Sequence, residues 1–370
     1  MNRYTNYHRN TYLGEDEKRP AGRPTQPAAG GRGPRKPAKK RGLPIAYIIA
    51  IDVVIAALAL FLFSLFYFIL PKDMSGNTVT LPTPPRTETS QASPSEQSSP
   101  GETQSETATP QTSAVADNSD FGARFSDKFT TGDVEQTENG YKSANVNVTI
   151  EKKTQNDVTY YVADIYIRNL ECFRTAFGQG TFGYSDPTDV VAQQNGAIVA
   201  INGDNCVDNH GPVVRNGEMQ RDETFTSDVL VLGWDGVMTT YSPEEFDLDK
   251  VKAEGAWQIW TFGPMLLKDG QPMTEFNSSV NKKNPRTAVG YFEPGHYCFV
   301  VIDGRQEGYS VGMTTAEMSQ LFADMGCTAA YNLDGGQTSE MAFMGAMANQ
   351  PYNGGRSTSD ILYIADIAGE

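Results

Sequence analysis

Three apolar runs in the C-terminal half of the chain each end on an aspartate beside glycine. Ala197 to Ile201 leads into Asn202-Gly203-Asp204, Tyr297 to Ile302 into Asp303-Gly304-Arg305, and Cys327 to Leu333 into Asp334-Gly335-Gly336. A carboxylate just past a strand stands at a sheet edge, where it can take a proton from water or steady a developing positive charge. Two arginines accompany them, Arg286 after Asn284-Pro285 and Arg305 after Asp303-Gly304. A guanidinium fork matches two oxygens of a phosphate or carboxylate, so these residues together describe a hydrolytic or anion-handling cleft. Taken singly, Asp-Gly and Asn-Gly are ordinary turn formers. Only convergence of several on one edge argues for a site.

The flanking elements predict that convergence. Thr287 to Phe292 reads as a strand joined to Tyr297 through Glu293-Pro294-Gly295-His296, a tight turn that makes the two antiparallel. The start of the first then lies beside the end of the second, and Arg286 reaches the same rim as Asp303 and Arg305. Thr314 and Glu317 form a capping box, Met318, Leu321, Phe322 and Met325 follow at helical spacing, and Gly326 closes the helix. A helix between two apolar strands reads as a right-handed crossover between parallel strands, which puts Asp303 and Asp334 on one edge. Upstream, Tyr141 to Thr154 and Val158 to Ile167 alternate across Gln155-Asn156-Asp157 as a hairpin, and Ser185-Asp186-Pro187 opens a short helix to about Asn195. The fold class is α/β (mixed α+β), one domain with a mixed sheet and short helices.

Other chemistries find little support. His210 and His296 are the only histidines beyond the N-terminal tail, and Cys172, Cys206, Cys298 and Cys327 show no C-x-x-C pairing, which argues against zinc. The four cysteines allow three disulfide connectivities, and Cys206 has no histidine partner to make it a nucleophile. No nucleophile elbow or P-loop occurs. The oxygen-rich loop Asp204-Asn205 to Asp208-Asn209 makes a divalent cation such as calcium a candidate cofactor, but it lacks EF-hand spacing and reads better as loop capping. Trp234, Trp257 and Trp260 are candidates for stacking on sugars or for core packing.

The chain is divided before this chemistry begins. Residues 1–44 hold 11 Lys and Arg against three acids and almost no large apolar residue, a disordered basic tail. Ile45 to Leu70 is a 26-residue apolar run whose one charged residue is Asp52, longer than the roughly 20 residues a bilayer requires. It is too long for a signal peptide, so it reads as a single transmembrane helix. The basic flank puts the N-terminus in the cytoplasm and the rest outside, anchored in the cell membrane. Residues 71–118 are a Pro/Ser/Thr-rich tether, and residues 119–370 form the folded domain. Beyond the helix, 19 basic residues face 41 acidic ones, an imbalance that excludes nucleic acid as a partner.

The series AINGD (200–204), GPVVRNGE (211–218), FGPMLLKDG (262–270), NPRTAVG (284–290), VIDGR (301–305), the GMTTAEMSQLF helix and NLDGG (332–336) resembles the phosphodiester glycosidase family over roughly residues 140–367. The resemblance implies hydrolysis of a glycosyl phosphodiester at the sugar's anomeric carbon, leaving a phosphomonoester. It also implies that Asn202, Gly203, Asp204, Arg286, Asp303, Arg305, Asn332, Asp334, Gly335 and Gly336 line the site. Arg286 and Arg305 then clamp the phosphate. Asp303 and Asp334 are the favoured catalytic carboxylates, with Asp204 third. The family pattern continues after NLDGG with Gly and paired serines, whereas this chain has Gln337-Thr338-Ser339-Glu340, so its contacts in that loop differ. The expected substrate is a glycan or sugar phosphate of the cell envelope, such as an exopolysaccharide. Two alternatives stay open on the residues: a non-catalytic envelope glycan-binding or assembly factor, and a metal-dependent phosphodiesterase.

Overall fold

A computed structural model describes residues 44–64, 79–80 and 121–367, within two units, Met1–Ser64 and Leu65–Glu370. The expected basic tail and all of the expected 71–118 tether except Val79–Thr80 lie outside the described residues. In the first unit Ile45–Ser64 is a 20-residue α-helix, about 30 Å long at 1.5 Å per residue. Residues 65–70 of the expected membrane helix lie outside the described residues. Counted over described residues, no helix is long and apolar enough to cross a membrane.

The second unit is mixed α+β with three sheets and few helices. Its nine-stranded sheet runs Gln271–Pro272, Met265–Lys268, Ala329–Asn332, Arg286–Glu293, His296–Ile302, Val158–Ile167, Val146–Gln155, Gly140–Lys142 and Glu135–Gln136. A five-stranded sheet has Val199–Asn202 at its centre, between Met341–Phe343 and Asp360–Ile364. In a six-stranded sheet Val79–Thr80 pairs with Met219 and Glu218 at one edge.

Every described ladder is antiparallel, yet the two strands joined by the helix Thr315–Met325 run parallel within one sheet, as expected, with a third strand between them. Arg286–Glu293 is inserted between His296–Ile302 and Ala329–Asn332 and pairs antiparallel with both. The two outer strands are therefore parallel without touching, and Asp303 and Asp334 still leave the sheet at the same end. Arg286 pairs with Ile302 at that end.

Local signals explain the elements around this rim. The helix Thr315–Met325 carries the capping box of Thr314 and Glu317 and ends on Gly326 at φ 85°. Its Met318 and Phe322 are buried against Leu266, Leu267, Ala288, Cys298, Val300 and Ala330, a burial that contributes roughly 1.5–3 kcal/mol per large side chain. Val146–Gln155 turns into Val158–Ile167 through Asn156 and Asp157, both at positive φ, as a two-residue hairpin turn of matching twist requires. The short helix Thr188–Gln194 has Pro187 at its N-cap and no side-chain cap, so Ser185 and Asp186 do not cap it as expected. Trp257 and Trp260 are buried in the main core, and Trp234 packs on Trp257 with centroids 4.9 Å apart, so the three tryptophans serve packing. All four cysteines are free, buried thiols, with Cys298 and Cys327 Sγ atoms 3.9 Å apart.

Candidate active site

At the strand ends lies a cleft of about 510 Å³, lined by Arg286, Arg305, Asn332, Asp334, Gly335 and Gly336 of the expected set. Phe262 and the loop residues Asn277 to Val280 add wall that sequence reasoning did not name. Among the described residues, Asp334 is the one acidic side chain lining it.

Arg286 is 5% exposed, yet among the described residues its guanidinium has no carboxylate partner. Nε donates to the Met313 carbonyl at 3.2 Å, and Nη2 to the carbonyls of Val280 and Lys282 at 2.8 and 2.7 Å. These bonds fix the fork without neutralising it. Burial first, and the neighbouring Arg305 charge second, push its pKa down to about 10. Arg305, exposed at the rim, donates through Nε and Nη2 to Asn284 Oδ1 and lies over the Tyr352 ring. Among the described residues, the arginine ion pairs belong to Arg124, Arg215, Arg221 and Arg356. Two unneutralised cations thus face one cleft in a strongly acidic unit, an arrangement whose electrostatic complement is an anion.

Gly335 and Gly336 bring the opposite wall close. A Cβ on Gly335 would lie 2.9 Å from the Pro285 carbonyl, and Gly336 sits at φ 73° with its N–H donating to that same carbonyl. A larger residue at Gly336 would be strained by its left-handed backbone.

Asp334 is held on both oxygens. Oδ1 accepts from the Gly335 N–H at 2.9 Å, and Oδ2 from Thr338 Oγ1 at 2.8 Å and Arg356 Nη2 at 2.9 Å. Burial raises its pKa above the ordinary carboxylate value, opposed by Thr338, Arg356 and Gly335. Thr338 belongs to the loop that departs from the family pattern, and Arg356 comes from the next turn of chain. No sequence signal pointed to Arg356.

The remaining expected residues stand behind the cleft. Asp303 is 1% exposed, and its carboxylate accepts from Tyr309 Oη at 2.8 Å, Asn349 Nδ2 at 2.7 Å and the Gln350 N–H at 3.1 Å. Burial raises its pKa, against those three donors. It ties two loops together instead of facing the cleft. Asn202 clamps the two sheets: Nδ2 donates to the Asp334 carbonyl at 2.7 Å, while Oδ1 accepts from Thr287 Oγ1 at 2.7 Å and the Glu340 N–H at 3.2 Å. The Gly203 carbonyl accepts from the Asp334 N–H, and a Cβ on Gly203 would overlap the Asp360 carboxylate.

Asp204 is also diverted. Its Oδ1 receives Arg215 Nη2 at 2.7 Å, its Oδ2 the Thr261 N–H at 2.9 Å, and Arg215 pairs in turn with Asp360 at 2.9 Å. All three are buried, and burial pushes Asp360 up to about 6. Asp204, Cys206 and Asp360 bring ligand-type atoms within 4.8 Å of one another, but Arg215 already supplies the cation there, so this cluster does not fit a resident metal. Arg215→Ala, which strands two buried carboxylates, is expected to cost about 3–5 kcal/mol. Urea unfolding monitored by tryptophan fluorescence measures it; an unchanged midpoint would refute a stabilising role.

The sequence profile of phosphodiester glycosidases matches residues 188–365, a span that contains every residue lining this cleft. Residues 188–365 are a phosphodiester glycosidase domain. Over 236 residues the chain is 29% identical to the SPbeta prophage-derived uncharacterized protein YomE of Bacillus subtilis (strain 168), covering 56% of this chain and 36% of that protein. The chain thus spans little more than a third of that relative's length. Among solved structures, the zebrafish N-acetylglucosamine-1-phosphodiester alpha-N-acetylglucosaminidase catalytic domain, auto-inhibited by its pro-peptide, superposes with a TM-score of 0.50 at 18% identity, covering 65% of this chain and 86% of that one. That likeness is one of fold.

Proposed function

We propose that this phosphodiester glycosidase domain hydrolyses a glycosyl phosphodiester between the anomeric carbon and the phosphate oxygen, yielding free sugar and a phosphomonoester. The observation that carries this reading is the buried, unneutralised Arg286 in the same cleft as Asp334. Arg286 and Arg305 hold the phosphate of the diester. As the anomeric C–O bond breaks, its electron pair passes to the phosphate oxygen, where the two guanidinium groups balance the added charge. Asp334 takes a proton from the water whose oxygen bonds to the anomeric carbon. A phosphate leaves as a stabilised anion, so the cleft can work with one facing carboxylate. The zebrafish enzyme, by its name an N-acetylglucosamine-1-phosphodiester alpha-N-acetylglucosaminidase, supports the substrate class.

We also propose that the apolar run from Ile45 to Leu70 anchors the chain in the cell membrane, with residues 1–44 cytoplasmic and the domain outside. The length of that run and its basic flank support this. The substrate is then an envelope glycan such as an exopolysaccharide with sugar phosphodiester links.

Hydrolysis of a sugar 1-phosphodiester by the full chain in oxygen-18 water, with and without chelator, tests the reaction. Label is expected in the sugar. Label in the phosphate would mean attack at phosphorus, the phosphodiesterase reading, and saturable binding without turnover would mean a glycan-binding factor. A further result follows from the Arg356–Asp334 pair. Arg356 lowers the Asp334 pKa, so Arg356→Ala raises it further and moves the acidic limb of kcat/KM to higher pH. Arg356→Lys is expected to restore part of the shift. An unmoved limb would separate Arg356 from the mechanism.

A further inference from the structure

Asn332 is 3% exposed and lines the cleft. Its Nδ2 donates to the Gly263 carbonyl at 2.8 Å and to the Leu333 carbonyl at 2.9 Å. Both neighbours are acceptors, so the amide orientation is fixed with nitrogen on that side. Its Oδ1 is buried and has no hydrogen-bond partner. Leaving a buried acceptor unmade is costly, and in a ligand cleft it marks where a donor of the ligand belongs.

The register places that acceptor relative to the anion site. Asn332 pairs with Ala288, two residues along the strand from Arg286. Side chains two apart share a face, so Asn332 and Arg286 are diagonal neighbours on one face, with Cα atoms roughly 7–8 Å apart. A sugar ring bearing a phosphate bridges such a separation. The Phe262 ring offers an apolar surface within the same cleft.

We infer that Asn332 Oδ1 accepts a hydrogen bond from a hydroxyl or amide N–H on the sugar of a phosphosugar, making Asn332 a specificity-determining residue for the sugar. The inference rests on the cleft being a phosphosugar site. It selects sugars carrying a donor at one ring position and rejects their deoxy counterparts at that position.

Titration calorimetry on the full chain tests this without requiring turnover. The probes are a hexose 1-phosphate, its monodeoxy analogues at each ring position, the 2-acetamido analogue and inorganic phosphate. One deoxy analogue is expected to bind about 10- to 100-fold more weakly than the parent. Asn332→Ala is expected to level that difference while binding inorganic phosphate as the wild type does. Should Asn332→Ala fail to fold, Asn332→Ser and the analogue series on the wild type decide the matter. Equal binding of all deoxy analogues, or a difference that persists in the variant, would overturn the inference and leave the phosphate site standing. Binding of no sugar phosphate at all would overturn it together with the reading of the cleft.

Discussion

Arg286→Ala is expected to lower kcat/KM for a glycosyl phosphodiester by roughly 30- to 5000-fold, the equivalent of about 2–5 kcal/mol for losing one side of a desolvated charge pair. The size of the effect follows from the absence of any internal counter-ion. Most buried arginines spend their charge on an aspartate or glutamate, as Arg215 does with Asp204 and Asp360. Arg286 spends only hydrogen-bond donors, on three carbonyls, so its charge is free for the ligand. Arg286→Lys keeps the charge and loses the planar fork, and should recover only part of the rate. Truncation also leaves the Met313, Val280 and Lys282 carbonyls without their donor, which lowers stability by about 1–3 kcal/mol. Thermal melts with added phosphate separate the two effects: phosphate raises the wild-type midpoint by mass action and leaves that of the variant where it was. Wild-type kcat/KM in Arg286→Ala would remove this residue from the reaction.

Asp334→Asn should be nearly as damaging, by a different route. The substitution keeps shape and one acceptor but removes the base, so kcat falls by about 10²–10⁴ with KM little changed. Phosphate binding, which depends on the arginines, should survive. The pH profile gives an independent check. Burial raises the Asp334 pKa above the ordinary value near 4, and the ionised form is the active one. Wild-type activity therefore falls as pH drops through that raised value. The residual activity of Asp334→Asn should lack this limb. A retained limb would assign it to another group. By contrast Asp303, which is 1% exposed and does not line the cleft, should affect stability more than kcat.

Short-range features of the fold were legible in the residues. The capping box of Thr314 and Glu317, the Asn156-Asp157 turn and the hairpin that delivers Arg286 beside Ile302 all follow from groups within a few positions of one another. The expected rim follows from strand direction alone, which puts Asp303 and Asp334 at one end whatever strand lies between them. The identity of the facing carboxylate was not legible. Asp303 and Asp334 sit in the same apolar-run, Asp-Gly context, and what separates them is Asn349, 46 residues beyond Asp303. Asp204 was lost to Arg215 for the same reason, since a pairing across sheets leaves no periodic trace in the chain. Arg356, 22 residues from Asp334, was invisible on the same grounds.

The strand Asp360–Ile364 is interior to its sheet, flanked by Val199–Asn202 and Phe173–Phe177. Asn202, which holds the Asp334 backbone in place, lies on a strand whose partner Asp360–Ile364 comes from beyond the last cleft-lining residue, Gly336. Removing the segment from residue 360 onward would unpair that strand on one side, and loosen the cleft, while leaving in the chain every residue that lines it.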